Sequence, residues 1–458
     1  MCGFFISTSS KRCTNYNDVT SRGWQTVEFS HKQYTAIQSQ LPCYNGICDF
    51  GVYENDQYIF SFTGEVYNTP SNYNSDTEYM LECVINNNLH HINGQWAFAL
   101  YDKKTQTVTI GRDTLGQIPL FIYNENCIIA SNTLPSIVRT VETKLDPDTI
   151  NRWYTSRHYT SQATCWHNIR SVQPGSVTTY NIKGKVIHAT LLDRIWHNTQ
   201  QDLQQTILDI ASDYDSPLRT ASIASGGLDS TIIAKLFNTN NNITIDHVGK
   251  DWVSNQVESF DHIMPVRTIS ITKAEWFEYL EELVNETYTI PYSWSWVGYY
   301  ILGKNCDADV LYTGEGADEI FGGYPGYDNA TTPYSTNPEH SDLRNALYSV
   351  YSPSRANKLL DQSVFIPVSC TGANLALGCS TVESRNPFLD TRIANNLQYA
   401  DELGKPSVKD IFVQHFGDSR LHPKQGFGGW PDEYGLSIGQ PDWKAGCWNL
   451  VQRIFSHQ

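Results

Sequence analysis

Positive charge is scarce in this sequence: 32 Lys and Arg stand against 48 Asp and Glu, a formal net charge of -16. A surface that acidic repels polyphosphates, which argues against nucleic acid or an anionic membrane as a partner. Long apolar runs are missing as well. The opening MCGFFISTSSKR turns polar after a short apolar stretch, too brief for a secretory leader, and no later segment reaches membrane length. A soluble, cytoplasmic protein is the expectation. The 11 cysteines show no repeated short pair of zinc-site spacing, and an odd number in so long a chain reads as free thiols in a reducing compartment. No internal repeat is found.

What the chain has is length and apolar mass. With 458 residues, 40% of them hydrophobic and 12% aromatic, it is a folding chain too long for one ordinary core. Up to about residue 190, short alternating segments dominate, among them QYIFSFTGEVY, WAFALYD, TVTIGRD, LFIYNENCIIAS and SVTTYNIKGKVIHAT, with helical spacing in SDTEYMLECVINN and TLPSIVRTV. This is a mixed α and β region with antiparallel pairing. After a helix expected at about 200 to 214, the pattern becomes strand, glycine turn, helix: TASIA, SGGLDS, TIIAKLF. A second such unit runs from DVLYTG at 309 to 314 into EGADEIFGGY, and alternation of this kind implies a parallel sheet. Two domains are therefore expected, at 2–190 and 200–458. Residues 325–343, rich in Pro, Asn, Ser and Thr, read as a loop.

Cys2 follows the initiator Met, and methionine removal would leave its thiol and α-amine on one residue. An α-amine of pKa about 7.7 to 8.0 can take the proton of a thiol of pKa about 8.5, so one residue can supply nucleophile and base. On position alone, an ordinary buried thiol is the more economical reading. The neighbours shift that balance: Thr63, Gly64, Glu65, Val66, Tyr67 and Asn68, then Ser75 to Glu78, then NGQWAFALYDKKTQTVTIGRDTLGQIPLF at 93–121.

In SGGLDS, small residues at 225 to 230 lie between a strand and a helix. Gly226 and Gly227 leave backbone N–H groups open for a pyrophosphate, Ser225 and Ser230 add hydroxyls, and Asp229 is placed to carry magnesium. No Lys follows the glycines, which excludes a Walker A loop. A glycine turn alone is weak; TGEGADEIFGGY (313–324), STVESRNPFLD (380–390) and HPKQGFGGWP (422–431) strengthen it.

Together these segments resemble asparagine synthetases of the glutamine-hydrolysing type, over nearly the whole chain. The resemblance implies an N-terminal nucleophile hydrolase domain, an α+β sandwich layered αββα, followed by an α/β parallel-sheet ATP-pyrophosphatase domain. It implies that Cys2 attacks a glutamine amide, that Gly64 donates a backbone N–H to the oxyanion, and that Glu65 and Asp76 hold the substrate α-amine. Thr63 stands where the family has an oxyanion-hole Asn, and Gln40 where it has an Arg for the glutamine carboxylate. Losing such an Arg costs about 2 to 5 kcal/mol unless another cation compensates; Arg12, Arg22 and Lys32 are the other candidates. In the second domain the resemblance puts Asp318 with Asp229 on magnesium, Thr313 and Gly314 on the adenylate, Val248 on adenine through its backbone, Glu315 beside the acyl adenylate as proton acceptor, and Lys424 on the leaving pyrophosphate. Val248 reads almost as well as a buried strand residue, and Lys405 and Lys409 as solvated surface lysines. Arg112 and Asp113 read as a structural ion pair beside a turn.

The implied reaction is ATP-dependent conversion of aspartate to asparagine with glutamine or ammonia as donor, through β-aspartyl-AMP, with Mg2+ as cofactor. The implied partners are aspartate, glutamine and ATP, with a homodimer a further expectation. One alternative is amidation of another small carboxylate, since the ATP-site motifs are shared by relatives with other substrates; the other is a catalytically silent homologue, to which Thr63 and Gln40 point.

Overall fold

The computed structural model describes residues 2–9, 17–41, 52–156, 162–250, 263–328, 340–421, 429–440 and 442–455. Its first half holds two six-stranded antiparallel sheets. In one, Gly3–Ser7 pairs with Tyr34–Gln40 on one side and Ile129–Ser131 on the other. In the other, Tyr58–Val66 and Gly94–Asp102 form the centre. Period-two alternation covers both faces of these strands. Ile59, Ala97, Ala99 and Tyr101 pack with Phe4 and Ile6 between the sheets. Phe60, Phe62, Trp96 and Phe98 face outward onto Met80 and Leu81 of the helix Asp76–Ile85. That helix starts where the sequence suggests, with Ser75 accepting from the Glu78 backbone N–H at 3.2 Å. Leu134–Val138 and Pro147–Ser156 cover the opposite side, completing the αββα layering.

The second half is built on a five-stranded parallel sheet ordered Arg267–Ile271, Asn242–His247, Thr220–Ile223, Val310–Tyr312, Glu383–Arg385. From Thr220–Ile223 the chain crosses first to one neighbour and later to the other. The order reverses there, which makes a topological switch point at the carboxyl ends of these strands. The glycine turn at 225–227 and the segment at 313–316 both emerge there. Lys273–Thr287 forms the expected helix, with a capping box between Thr272 and Glu275.

Several elements differ from the sequence expectation. LFIYNENCIIAS is two strands, Phe121–Tyr123 and Ile129–Ser131, paired as a hairpin, because the Asn-rich centre turns. The hairpin of Gln25–His31 and Tyr34–Gln40, the short strand Glu383–Arg385 and the 26-residue helix Pro353–Gly378 were not anticipated. That helix carries Pro367 in its interior, the kind of breaker that makes such a segment hard to recognise. Of the loop expected at 325–343, residues 329–339 lie outside the described residues, and the end is the start of the helix Ser341–Val350. Among the described residues no helix is long and apolar enough to cross a membrane.

Candidate active sites and their junction

Cys2 sits beside the first strand of the first sheet. Its carbonyl accepts from Thr63 Oγ1 at 2.9 Å and from Asn132 Nδ2 at 2.9 Å, while Asn132 Oδ1 accepts from the Phe4 N–H. The Thr63 hydroxyl is thus committed to the backbone of Cys2 and helps to hold that residue in place. Asn132 does the same work and escaped sequence reading, because ASNT gives no local sign of a partner 130 residues away. Burial pushes the Cys2 thiol up to about 12, against the charge of the amino terminus and a hydrogen bond from the Leu41 N–H. A thiol raised this far keeps its proton near neutral pH unless a base takes it.

Gly64 has φ +121°, and a Cβ there would meet the Gln95 carbonyl oxygen at 1.9 Å, so only glycine fits. Asp76 accepts from the Val66 N–H at 3.3 Å. Glu65 is buried and lies 3.2 Å from the Arg385 guanidinium. Gln40 is buried at the end of its strand, and its Nε2 has no hydrogen-bond partner. Of its rival cations, Arg22 is buried and turned to Asn374, whose Oδ1 it reaches at 3.3 Å. Arg12 lies outside the described residues.

At the second site the Oγ atoms of Ser225 and Ser230 are 2.8 Å apart, and Gly227 caps the helix Leu228–Phe237. Gly314 is pressed against this loop: a Cβ on it would meet Ser230 N at 2.7 Å. Asp229 and Asp318 come together around one cation. Lys405 Nζ is 2.5 Å from Asp229 Oδ2 and 2.6 Å from Asp318 Oδ1. The expectation of a solvated Lys405 is therefore corrected: it is 4% exposed. Burial pulls its pKa down, but the two carboxylates outweigh burial and hold it above the usual value. The sequence hid this because the lysine stands just before a helix-opening proline, in a left-handed conformation, where side-chain direction cannot be read.

Glu315 accepts hydrogen bonds from the hydroxyls of Tyr299 and Ser369, neither of which the sequence nominated. Burial, then the charges of Asp318 and Glu315, push Glu319 up to about 8. Thr313 donates its backbone N–H to the Arg385 carbonyl at 3.0 Å and its hydroxyl to Asn386 Oδ1 at 2.7 Å. Val248 stands 53% exposed beyond its strand, with its N–H given to the Ile271 carbonyl, so it is not a buried strand valine. Lys424 lies outside the described residues.

Arg112 and Asp113 are not the ion pair expected. Arg112 donates to the carbonyls of Gly116, Ile118 and Val172 and to Thr371 Oγ1, while Asp113 accepts from the backbone N–H groups of Trp96, Leu115, Gln117 and Ile118. Buried main-chain groups compete more effectively for these charges than the two side chains do for each other.

Two known domain families match separate parts of the chain. Residues 50–190 match the glutamine amidotransferase domain model, and residues 214–398 match the asparagine synthase model. The chain therefore carries a stretch similar to a glutamine amidotransferase domain followed by one similar to an asparagine synthase domain. Cys2 and Gln40 precede the first match. Among similar proteins are a putative asparagine synthetase [glutamine-hydrolyzing] 1 of Methanocaldococcus jannaschii (24% identical, 70% of this chain, 58% of that protein) and the asparagine synthetase [glutamine-hydrolyzing] of Cricetulus griseus (24%, 80% and 67%). Asparagine synthetase B [glutamine-hydrolyzing] of Escherichia coli K12 is 24% identical over 66% of this chain and 53% of its own. The chain thus spans between about half and two thirds of these relatives. Among solved structures, one titled as the allosteric regulatory enzyme of purine biosynthesis aligns with 52% of this chain and 64% of its own, at 11% identity and a TM-score of 0.30, too loose a likeness to add to the argument.

Proposed function

We propose that the protein makes asparagine from aspartate and ATP, with glutamine or ammonia as nitrogen donor. The observation that carries this reading is the strand end at Arg385 and Asn386, which contacts both sites: Arg385 reaches Glu65 in the amidotransferase half and Asn386 holds Thr313 in the synthase half. Release of nitrogen at one site and its use at the other are brought to a single junction.

In the first half, the Cys2 α-amine exposed by methionine removal takes the thiol proton, and the thiolate attacks the glutamine carboxamide; the adduct collapses with cleavage of the C–N bond, ammonia leaves with the proton the amine held, and water hydrolyses the thioester to glutamate and free thiol. Gly64 offers the oxyanion its N–H. Glu65 and Asp76 bind the α-ammonium. The buried Gln40 amide donates to the α-carboxylate, relieving an unpartnered donor whose burial costs about 1 to 3 kcal/mol.

In the second half, the serine and glycine groups at 225–230 bind phosphate, with Thr313, Gly314 and Val248 along the adenylate. Asp229 and Asp318 fit a magnesium ion, since in this structure they already close around one positive charge. Such an ion screens phosphate charge and stabilises the leaving pyrophosphate. The aspartate β-carboxylate attacks the α-phosphorus to give β-aspartyl-AMP and pyrophosphate, and ammonia displaces AMP. Glu315, oriented by Tyr299 and Ser369, takes the proton that the attacking ammonia loses. Lys424 is assigned to the pyrophosphate from the sequence alone, and Lys405 joins it as a second cation.

The test is pyrophosphate release by purified protein with magnesium ATP and aspartate, comparing glutamine with ammonium chloride. Release with both donors is expected, and Cys2→Ala abolishes only the glutamine-dependent reaction. No aspartate-dependent release with either donor would transfer the reading to another carboxylate.

A further inference from the structure

Glu65 belongs to the amidotransferase half, yet the cation beside it comes from the other half of the chain. Arg385 is 2% exposed. Its Nη2 lies 3.2 Å from Glu65 Oε1, its Nε donates to Glu383 Oε1 at 2.8 Å, and its Nη1 donates to the Tyr214 carbonyl at 2.8 Å. The Tyr67 ring, stacked on Tyr214 at 3.6 Å, has its centroid 5.9 Å from the guanidinium carbon. A planar group held on so many sides has one orientation. Gln95 adds a further tie, donating to the Ser384 carbonyl at 2.9 Å.

We infer that Arg385 is a positioning residue for glutamine, acting through Glu65, so that the glutamine site is completed by the synthase half. This rests on the function proposed above. A carboxylate has two acceptor oxygens; Arg385 engages Oε1 and thereby sets the direction in which the group presents itself to an α-ammonium. Charge supports the same assignment. Arg385 is the cation shared by the buried carboxylates of Glu65 and Glu383. Without Arg385, two buried carboxylates would lose their shared counter-ion, and Glu65 would lose the group that sets its direction. The Arg385 carbonyl also receives the Thr313 N–H, so the strand end that orients Glu65 is in register with the loop assigned to the adenylate.

The experiment uses the full chain, with Arg385→Met, Arg385→Lys, Glu65→Gln and the Arg385→Met/Glu65→Gln pair, each assayed with glutamine and with ammonium. Arg385→Met is expected to lower the ratio of glutamine- to ammonium-dependent kcat/KM at least tenfold, mainly through the glutamine KM. Arg385→Lys should restore part of that ratio, since the charge remains and the fork does not. In the Glu65→Gln background, Arg385→Met should change the ratio less than twofold, because the group it orients is gone. Equal losses with both donors, or independent effects of the two substitutions, would make Arg385 a scaffold residue and overturn the inference while leaving the proposed function intact. A wild-type protein that leaves glutamine uncleaved yet works with ammonium would remove the inference and narrow the proposed function to ammonia, whereas no aspartate-dependent release with either donor would remove both.

Discussion

Gly64 shows how little freedom the amidotransferase site allows a single residue. A methyl group there collides with the Gln95 carbonyl oxygen at 1.9 Å, at φ +121°; overpacking and left-handed strain together cost about 3 kcal/mol. Gly64→Ala is expected to lower the unfolding free energy by about that amount and to remove glutamine-dependent turnover. A variant of unchanged stability, measured by urea unfolding, would contradict the geometry. At the other site, Asp318→Asn is expected to stop pyrophosphate release with either donor, and retained release would refute the metal assignment. The candidate residues legible in the sequence are those whose type a chemistry would force: a thiol next to the first Met, glycines in a tight turn, acids in a dense motif. Lys405, Asn132 and Arg385 went unassigned because each acts across more than 100 residues of sequence, and nothing local distinguishes a bridging lysine from a solvated one.

Elements with strong periodicity and clear ends were legible. The helix Lys273–Thr287 and the strand Tyr58–Val66 are examples, and Thr272→Ala should cost about 1 kcal/mol through loss of the capping box. The helix Pro353–Gly378 was not legible, being buried along most of its length, with polar residues turned to specific partners rather than to water. One is Asp361, whose Oδ2 accepts from the Tyr327 hydroxyl at 2.8 Å. Burial pushes this acid up to about 7 despite that hydrogen bond, well above its unfolded value of about 3.9. Its neutral form therefore contributes stability fully below the unfolded value, and the contribution is lost as pH rises through about 7. Asp361→Asn keeps an acceptor for Tyr327 and removes the ionisation. Unfolding free energy measured from pH 5 to 8 should fall less steeply in the variant, and superimposable pH profiles would show that Asp361 carries no such linkage.

At the scale of the molecule, the two halves read from sequence share one apolar core. Phe5, Ile150, Trp153 and Trp166 from the first belong to the same cluster as Trp276, Tyr288, Leu450 and Phe455 from the second. Trp166 Nε1 donates to the Tyr288 carbonyl at 2.7 Å, and Phe455 packs on both rings, with centroids 5.3 and 4.4 Å away. Pattern reading divides a chain where composition changes, and it has no access to a core assembled from opposite ends. Calorimetry should accordingly give a single cooperative transition; an early, separate melting of either half would contradict the shared core. On the proposed function this continuity has a physiological side. With a single transition, heat or partial damage would leave no surviving glutaminase to spend glutamine and leak ammonia after its consumer has failed, so an injured molecule would be lost outright instead of becoming a drain on nitrogen.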